Sequence, residues 1–133
     1  MSEDYSTLWE FWDSWRGTKN HAWSGGPLVI MSKYFAGIAP VEAGYEKVEI
    51  NPQYSLSDKI NCTVPSVKGL IVLDTEMNGD SCIVNLTLPQ DMKAVLYVPD
   101  NAVVNVNSTL YYQDNGYANG IGNVEIAVKS LTD

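Results

Sequence analysis

The chain has 133 residues, 45% of them hydrophobic, enough for one domain with a real core. Its 16 acidic and 8 basic residues give a net charge of -8, which repels phosphate backbones and anionic lipid surfaces and argues against nucleic acid or a membrane as partner. No stretch approaches the roughly 20 consecutive apolar residues that span a bilayer, and the opening residues Met1 to Tyr5 lack the basic start and apolar run of a signal peptide.

All four Trp, both Phe and the only His precede Pro40, whereas Asn, Val and Thr accumulate after it. This shift predicts a boundary, with a helical segment over residues 1–40 and a β domain over residues 41–133. In the first part, Thr7-Leu8-Trp9-Glu10 has the form of a capping box, Thr7 as N-cap and Glu10 three places on, opening a helix to about Arg16 that Gly17 stops. Ser24 or Gly25-Gly26-Pro27 then opens a second helix, Leu28 to Phe35, which Gly37 and Pro40 end. Tyr5, Leu8, Trp9, Phe11, Trp12 and Trp15 cover more than one face of the first helix, so it should be buried among neighbours. Those neighbours are expected in a larger structure upstream, and in the isolated chain the segment is expected to fold back on the β domain, to pair with a second copy through its Trp faces or to remain mobile.

The second part alternates as strands do, over Tyr45 to Ile50, Ile60 to Val64, Leu70 to Glu76, Cys82 to Leu88, Ala94 to Val98, Val103 to Val106, Thr109 to Tyr112 and Val124 to Val128. Asn78-Gly79-Asp80 reads as a hairpin turn, Asp114-Asn115-Gly116 as another, and Pro89 and Pro99 each end a run. Short strands with turns at this spacing predict a mainly β fold, an antiparallel β-sandwich. The two cysteines, Cys62 and Cys82, are expected as free thiols. The β part has no His and no Cys-x-x-Cys pair, so neither a metal nor a cofactor is expected.

Chemistry concentrates in Thr7 to Pro27, where Glu10, Asp13, Arg16, Lys19, Asn20 and His21 stand among the four Trp. Aromatic planes take the apolar faces of a pyranose, polar side chains take its hydroxyls, and glycoside hydrolysis uses two carboxyl groups flanking the bond. Taken singly, each residue has a plainer reading. Glu10 is a helix cap worth about 1 kcal/mol, His21 a hydrogen-bonded loop residue, the Trp stripe a packing surface, and Asp13 with Arg16 a modest surface pair.

The ordered set tips the balance. Thr7-Leu8-Trp9-Glu10-Phe11-Trp12, Lys19-Asn20-His21-Ala22-Trp23-Ser24-Gly25-Gly26-Pro27, Gly37-Ile38-Ala39-Pro40 and Gly44-Tyr45-Glu46-Lys47-Val48-Glu49-Ile50-Asn51-Pro52 together resemble the C-terminal region of bacterial α-L-rhamnosidases, glycoside hydrolase family 78. Thr63-Val64-Pro65 with Lys68-Gly69 is similar to the β-domain signature of that family. The resemblance implies that residues 1–40 are the last helices of an (α/α)6 catalytic barrel, a two-helix remnant ahead of a C-terminal β-sandwich. It implies an inverting hydrolase of terminal α-L-rhamnosides, acting on a rhamnose-containing glycan or glycoside. Glu10 matches the family's general base, His21 its sugar-contacting histidine, and Trp9, Trp12 and Trp23 are candidates for the pocket wall. The general acid would come from the upstream barrel, so this chain alone is expected to be inactive. The Glu10–His21 loop is short for the family, with Lys19 at its tip, which bears on substrate range. Two other readings stand beside this one, a non-catalytic carbohydrate-binding module and a sandwich that only stabilises a barrel.

Overall fold

The computed structural model describes residues 9–11, 15–99, 102–107, 109–111 and 125–130, with side chains described up to residue 107. Nine strands are present among these residues: β1 (Ile38–Pro40), β2 (Lys47–Ile50), β3 (Lys59–Ser66), β4 (Gly69–Asn78), β5 (Ser81–Thr87), β6 (Lys93–Val98), β7 (Ala102–Val106), β8 (Thr109–Tyr111) and β9 (Glu125–Ser130). They form a four-stranded sheet, order β1-β2-β6-β9, and a five-stranded sheet, order β3-β4-β5-β7-β8. Period-two alternation turns one face of each sheet inward. Val48, Ile50, Ala94, Leu96 and Val98 from the first sheet meet Ile71, Leu73, Val84, Leu86 and Val104 from the second in one continuous apolar core. The mainly β, sandwich architecture expected from the sequence is the one observed.

All eight expected strands appear, most shifted by a residue or two. The strand expected from Tyr45 begins instead at Lys47, because Ala43–Tyr45 is a 3-10 turn in which Gly44 (φ 66°) and Tyr45 (φ 58°) both adopt the left-handed conformation. One strand, β1, was not anticipated, since Pro40 reads as a stop. It is tolerated because β1 lies at a sheet edge, where a missing N–H breaks no ladder. Pairing is mixed: β1·β2, β3·β4, β4·β5 and β7·β8 run antiparallel, whereas β2·β6, β5·β7 and β6·β9 run parallel. The parallel pairs arise because the chain leaves β5, forms β6 in the opposite sheet and returns for β7. The Asn78-Gly79-Asp80 hairpin is present, with Asn78 opposite Ser81 and Gly79 at φ 63°. Asp114-Asn115-Gly116 lies outside the described residues, and the strands on either side of it, β8 and β9, belong to different sheets, so they do not form the expected hairpin.

The helical part differs more from expectation. Trp9 is in irregular backbone and Glu10, Phe11, Trp15, Arg16 and Gly17 lie in bends and turns, not in a helix; Thr7, Trp12 and Asp13 are outside the described residues. A ten-residue helix rich in large rings is marginal by itself, because isolated helices shorter than about 12–15 residues seldom hold in water and aromatic side chains lose rotamer freedom in them. Among the described residues none of its rings joins the sandwich core, and Trp15 remains 75% exposed. The second helix does form, as a 3-10 turn Ala22–Gly25, an α-turn Gly26–Val29 opened by Pro27, and a π-helical stretch Ile30–Phe35 closed by Ala36 N–H on the Met31 carbonyl at 2.8 Å.

This helical run meets the sandwich at Gly37. Its φ of 70° is left-handed, and a Cβ there would run into the main chain of Asn51. The space is used by hydrogen bonds: Asn51 N–H donates to the Gly37 carbonyl and Gln53 N–H to the Phe35 carbonyl, both at 3.0 Å. Two of the sequence motifs are thus halves of one joint, with Ile38 opposite Ile50 and Pro40 opposite Val48. A third motif is the β3–β4 hairpin, where Ser66 faces Gly69 (φ 136°). Lys68 Nζ reaches from it to Glu46 Oε2 at 2.8 Å and to the Asp91 carbonyl at 2.9 Å, tying the hairpin to the turns before β2 and β6.

Cys62 and Cys82 are free, and burial raises both thiols above their ordinary range. The buried Tyr54 hydroxyl donates to the Tyr97 carbonyl at 2.9 Å, and desolvation holds its phenol protonated, with the neighbouring Cys82 adding to the shift. Thr75 is the only polar residue wholly within the core among the described residues, and its hydroxyl makes no hydrogen bond there. Gly37→Ala should lower the unfolding free energy in urea by about 2 kcal/mol or more, through left-handed strain and the clash with Asn51. Thr75→Val, of the same shape, should leave stability unchanged or raise it by up to about 1 kcal/mol, and a loss of that size in the same titration would contradict an unsatisfied hydroxyl.

Candidate functional site

The residues singled out from sequence fall in a loop stabilised at both ends. Ser24 Oγ donates to the Trp9 carbonyl at 2.6 Å, closing the loop against the start of the helical run. Glu10 N–H donates to the Thr18 carbonyl at 3.0 Å, which folds residues 10–18 into a compact turn. Gly17 enables that turn with φ 62°, and its missing Cβ matters: one placed there would stand 2.6 Å from Glu10 Oε2 and 2.7 Å from Phe11 Cδ2.

Within the loop Glu10 and His21 come together. Glu10 Oε2 lies 3.5 Å from His21 Nδ1, with side chains 19% and 29% exposed respectively. The same oxygen accepts the Thr18 backbone N–H at 3.0 Å, while the Thr18 hydroxyl stands 3.4 Å from it and 2.7 Å from His21 Nδ1. Glu10 therefore caps a backbone N–H, that of Thr18 eight residues ahead, and the Thr7 of the expected capping box lies outside the described residues. The His21 ring leans on Trp23, with centroids 4.1 Å apart and planes inclined by 38°, and Trp23 is itself 68% exposed. Lys19 Nζ sits 6.0 Å from the Trp9 ring centroid, and the Arg16 guanidinium stacks 4.4 Å from that of Trp15. Of the five residues expected to form a site, Glu10, His21 and Trp23 are linked through Thr18 or direct ring contact, Trp9 flanks them, and Trp12 lies outside the described residues.

Thr18 is the residue that sequence reasoning missed. The available signal was Gly17: a left-handed glycine seven residues after an acid turns the following N–H back toward that acid. A second feature, on the outer face of the five-stranded sheet, is a shallow depression of about 330 Å³ lined by Asn85, Leu86, Thr87 and Asn105, in which Asn105 Nδ2 donates to Asn85 Oδ1 at 2.9 Å. Among the described residues no group of His, Cys, Asp and Glu is disposed to hold a metal, and no helix is long and apolar enough to cross a membrane.

Residues 37–113 match the bacterial alpha-L-rhamnosidase C-terminal domain. The chain belongs to that family. The matched span opens on Gly37 and takes in the joint to Asn51, the Lys68 hairpin and most of the sandwich, and the Glu10–His21 loop lies ahead of it. A solved GH78 family rhamnosidase of Bacillus sp. GL1 is similar at 19% identity and a TM-score of 0.47, over 85% of this chain and 10% of that one. The chain thus spans about a tenth of that protein's length. No match was found among curated proteins.

Gly17→Ala in this domain should push the Glu10 carboxylate off Thr18 while leaving the sandwich intact. Amide spectra are expected to show the Thr18 and His21 signals moved and the core strands unchanged; unmoved loop signals would show that the turn does not depend on the glycine.

Proposed function

We propose that this chain is the C-terminal part of an inverting α-L-rhamnosidase, with residues 1–40 completing a helical catalytic barrel and residues 41–133 forming the sandwich behind it. Glu10 is the general base that orients and deprotonates the attacking water, His21 contacts the sugar, and Trp9, Trp12 and Trp23 line its pocket. The observation that carries the reading is the Glu10–His21 pair, a carboxylate and an imidazole 3.5 Å apart, bridged by Thr18 beside an exposed indole. A base needs a fixed carboxylate with an oxygen available to water, and a sugar contact needs a ring nitrogen in reach of a hydroxyl. Family membership supports the substrate class.

The exposed face of the helical run supports a barrel partner. Trp23, Leu28, Val29, Ile30, Met31 and Tyr34 all present large apolar surface to solvent, while the sandwich buries its own core completely. A helical catalytic region upstream of Met1 is the natural cover, and it would supply the general acid. The two carboxyl groups of an inverting pair stand roughly 6.5–9.5 Å apart, leaving room for water between base and anomeric carbon. Without that acid the 133-residue chain has half of the catalytic pair.

Assayed with an aryl α-L-rhamnoside, the 133-residue chain is expected to give no turnover above background. In the longer enzyme that the reading requires, Glu10→Gln should lower kcat by about 10²–10⁴-fold. Turnover by the isolated chain, or full activity of that variant, counts against the proposal. A purely barrel-stabilising sandwich would leave the Glu10→Gln enzyme nearly as fast as its parent.

A further inference from the structure

Thr18 engages Glu10 and His21 at once. Its N–H donates to the side-chain Glu10 Oε2 at 3.0 Å, and its carbonyl accepts the Glu10 backbone N–H at the same distance, so Thr18 holds both the main chain and the carboxylate of Glu10. Its hydroxyl lies between Glu10 Oε2, at 3.4 Å, and His21 Nδ1, at 2.7 Å.

The proton count decides how this hydroxyl is used. A threonine hydroxyl has one hydrogen to give. Were it given to His21, Nδ1 would be bare, and its lone pair would face Glu10 Oε2 at 3.5 Å with no proton between them. The Thr18 oxygen would face the same carboxylate equally bare. With the proton on Nδ1, the ring donates to Thr18 Oγ1 and the hydroxyl donates to the carboxylate. Every acceptor then meets a hydrogen, and the bond into the carboxylate is charge-assisted.

We propose that Thr18 is a positioning residue that fixes the proton order of the site, from His21 Nδ1–H through the Thr18 hydroxyl to Glu10 Oε2. Two consequences follow for the reading of Glu10 as base and His21 as sugar contact, on which the inference rests. In the neutral ring Nε2 is left without a proton, so His21 receives a hydrogen bond from a sugar hydroxyl instead of giving one. Oε2 carries the fixed bonds, and Oε1, which has no hydrogen-bond partner among the described residues, is the oxygen that takes the proton of water. Glu10 is thereby held by one oxygen and works with the other.

His21 is the only histidine of the chain, so its ring signals are unambiguous. Long-range proton–nitrogen correlation on the ¹⁵N-labelled 133-residue chain, recorded on the neutral ring, reads which nitrogen carries the proton. The expected result is Nδ1–H in the parent and in Thr18→Ser, which keeps the hydroxyl. Thr18→Val, of equal size without it, should raise the Nε2–H population several-fold, while the amide signals of the sandwich show that each variant is folded. A parent ring carrying its proton on Nε2, or sampling both tautomers, overturns the proposal, and so does a Thr18→Val chain that keeps Nδ1–H. Because the tautomer is read without substrate, its failure is separable from a failure of the hydrolytic reading, which turnover reports.

Discussion

The close approach of two backbone segments at Gly37 and Asn51 is the constraint on which the rest of the arrangement turns. Only a residue without a Cβ lets the Gly37 carbonyl accept the Asn51 N–H at 3.0 Å, and this bond sets the register of Ile38 on Ile50. Upstream of it, Phe35 and Ala36 bring the end of the helical run against the core; downstream, β2 enters the middle of the four-stranded sheet beside β6. The helical segment is thus carried by the sandwich through one short joint, and its outward face is left apolar and open.

That division of labour separates stability from chemistry. The sandwich buries the inward aliphatic side chains of both sheets in one core, and the Lys68–Glu46 link ties its β3–β4 hairpin to the turn before β2. The Glu10–His21 loop, by contrast, is held by hydrogen bonds such as Ser24 to Trp9 and Thr18 to Glu10, and none of its described residues belongs to the core. A loop of this kind is cheap to reorganise against a partner, whereas the sandwich is an anchor that does not change shape.

The β part was legible because its chemistry is local. The apolar, β-branched character of Ser81–Thr87 and the turn at Gly79 mark two strands locally, and burial then alternates strictly along the second of them. What sequence did not reveal was pairing: the exchange of β5, β6 and β7 between sheets depends on contacts between residues tens of positions apart, and nothing within either strand encodes whether its neighbour runs parallel. The first helix was misread for a related reason. Thr7 and Glu10 have the spacing of a capping box, but spacing cannot say whether the rings behind it find a surface to bury against. Of the candidate site, Glu10, His21 and Trp23 were found through the order of motifs, and Thr18 was not, because the bond that gives it a role spans a turn created by Gly17.

The mixed sheet also governs how the domain is assembled in time. β2 cannot complete its parallel pairing until residues 93–98 are available, and β6 in turn waits for residues 125–130. Pairings separated by some 30 to 45 residues close loops whose entropy is lost before any contact repays it, so they form late. The β3–β4–β5 meander, stitched by short turns, has no such delay and provides the natural nucleus. The joint at Gly37 belongs to the late sheet. The contacts of the joint itself, Asn51 N–H on the Gly37 carbonyl and Ile38 opposite Ile50, are local, so the helical run is fastened to β2 before either parallel pairing completes and reaches the finished sheet already attached.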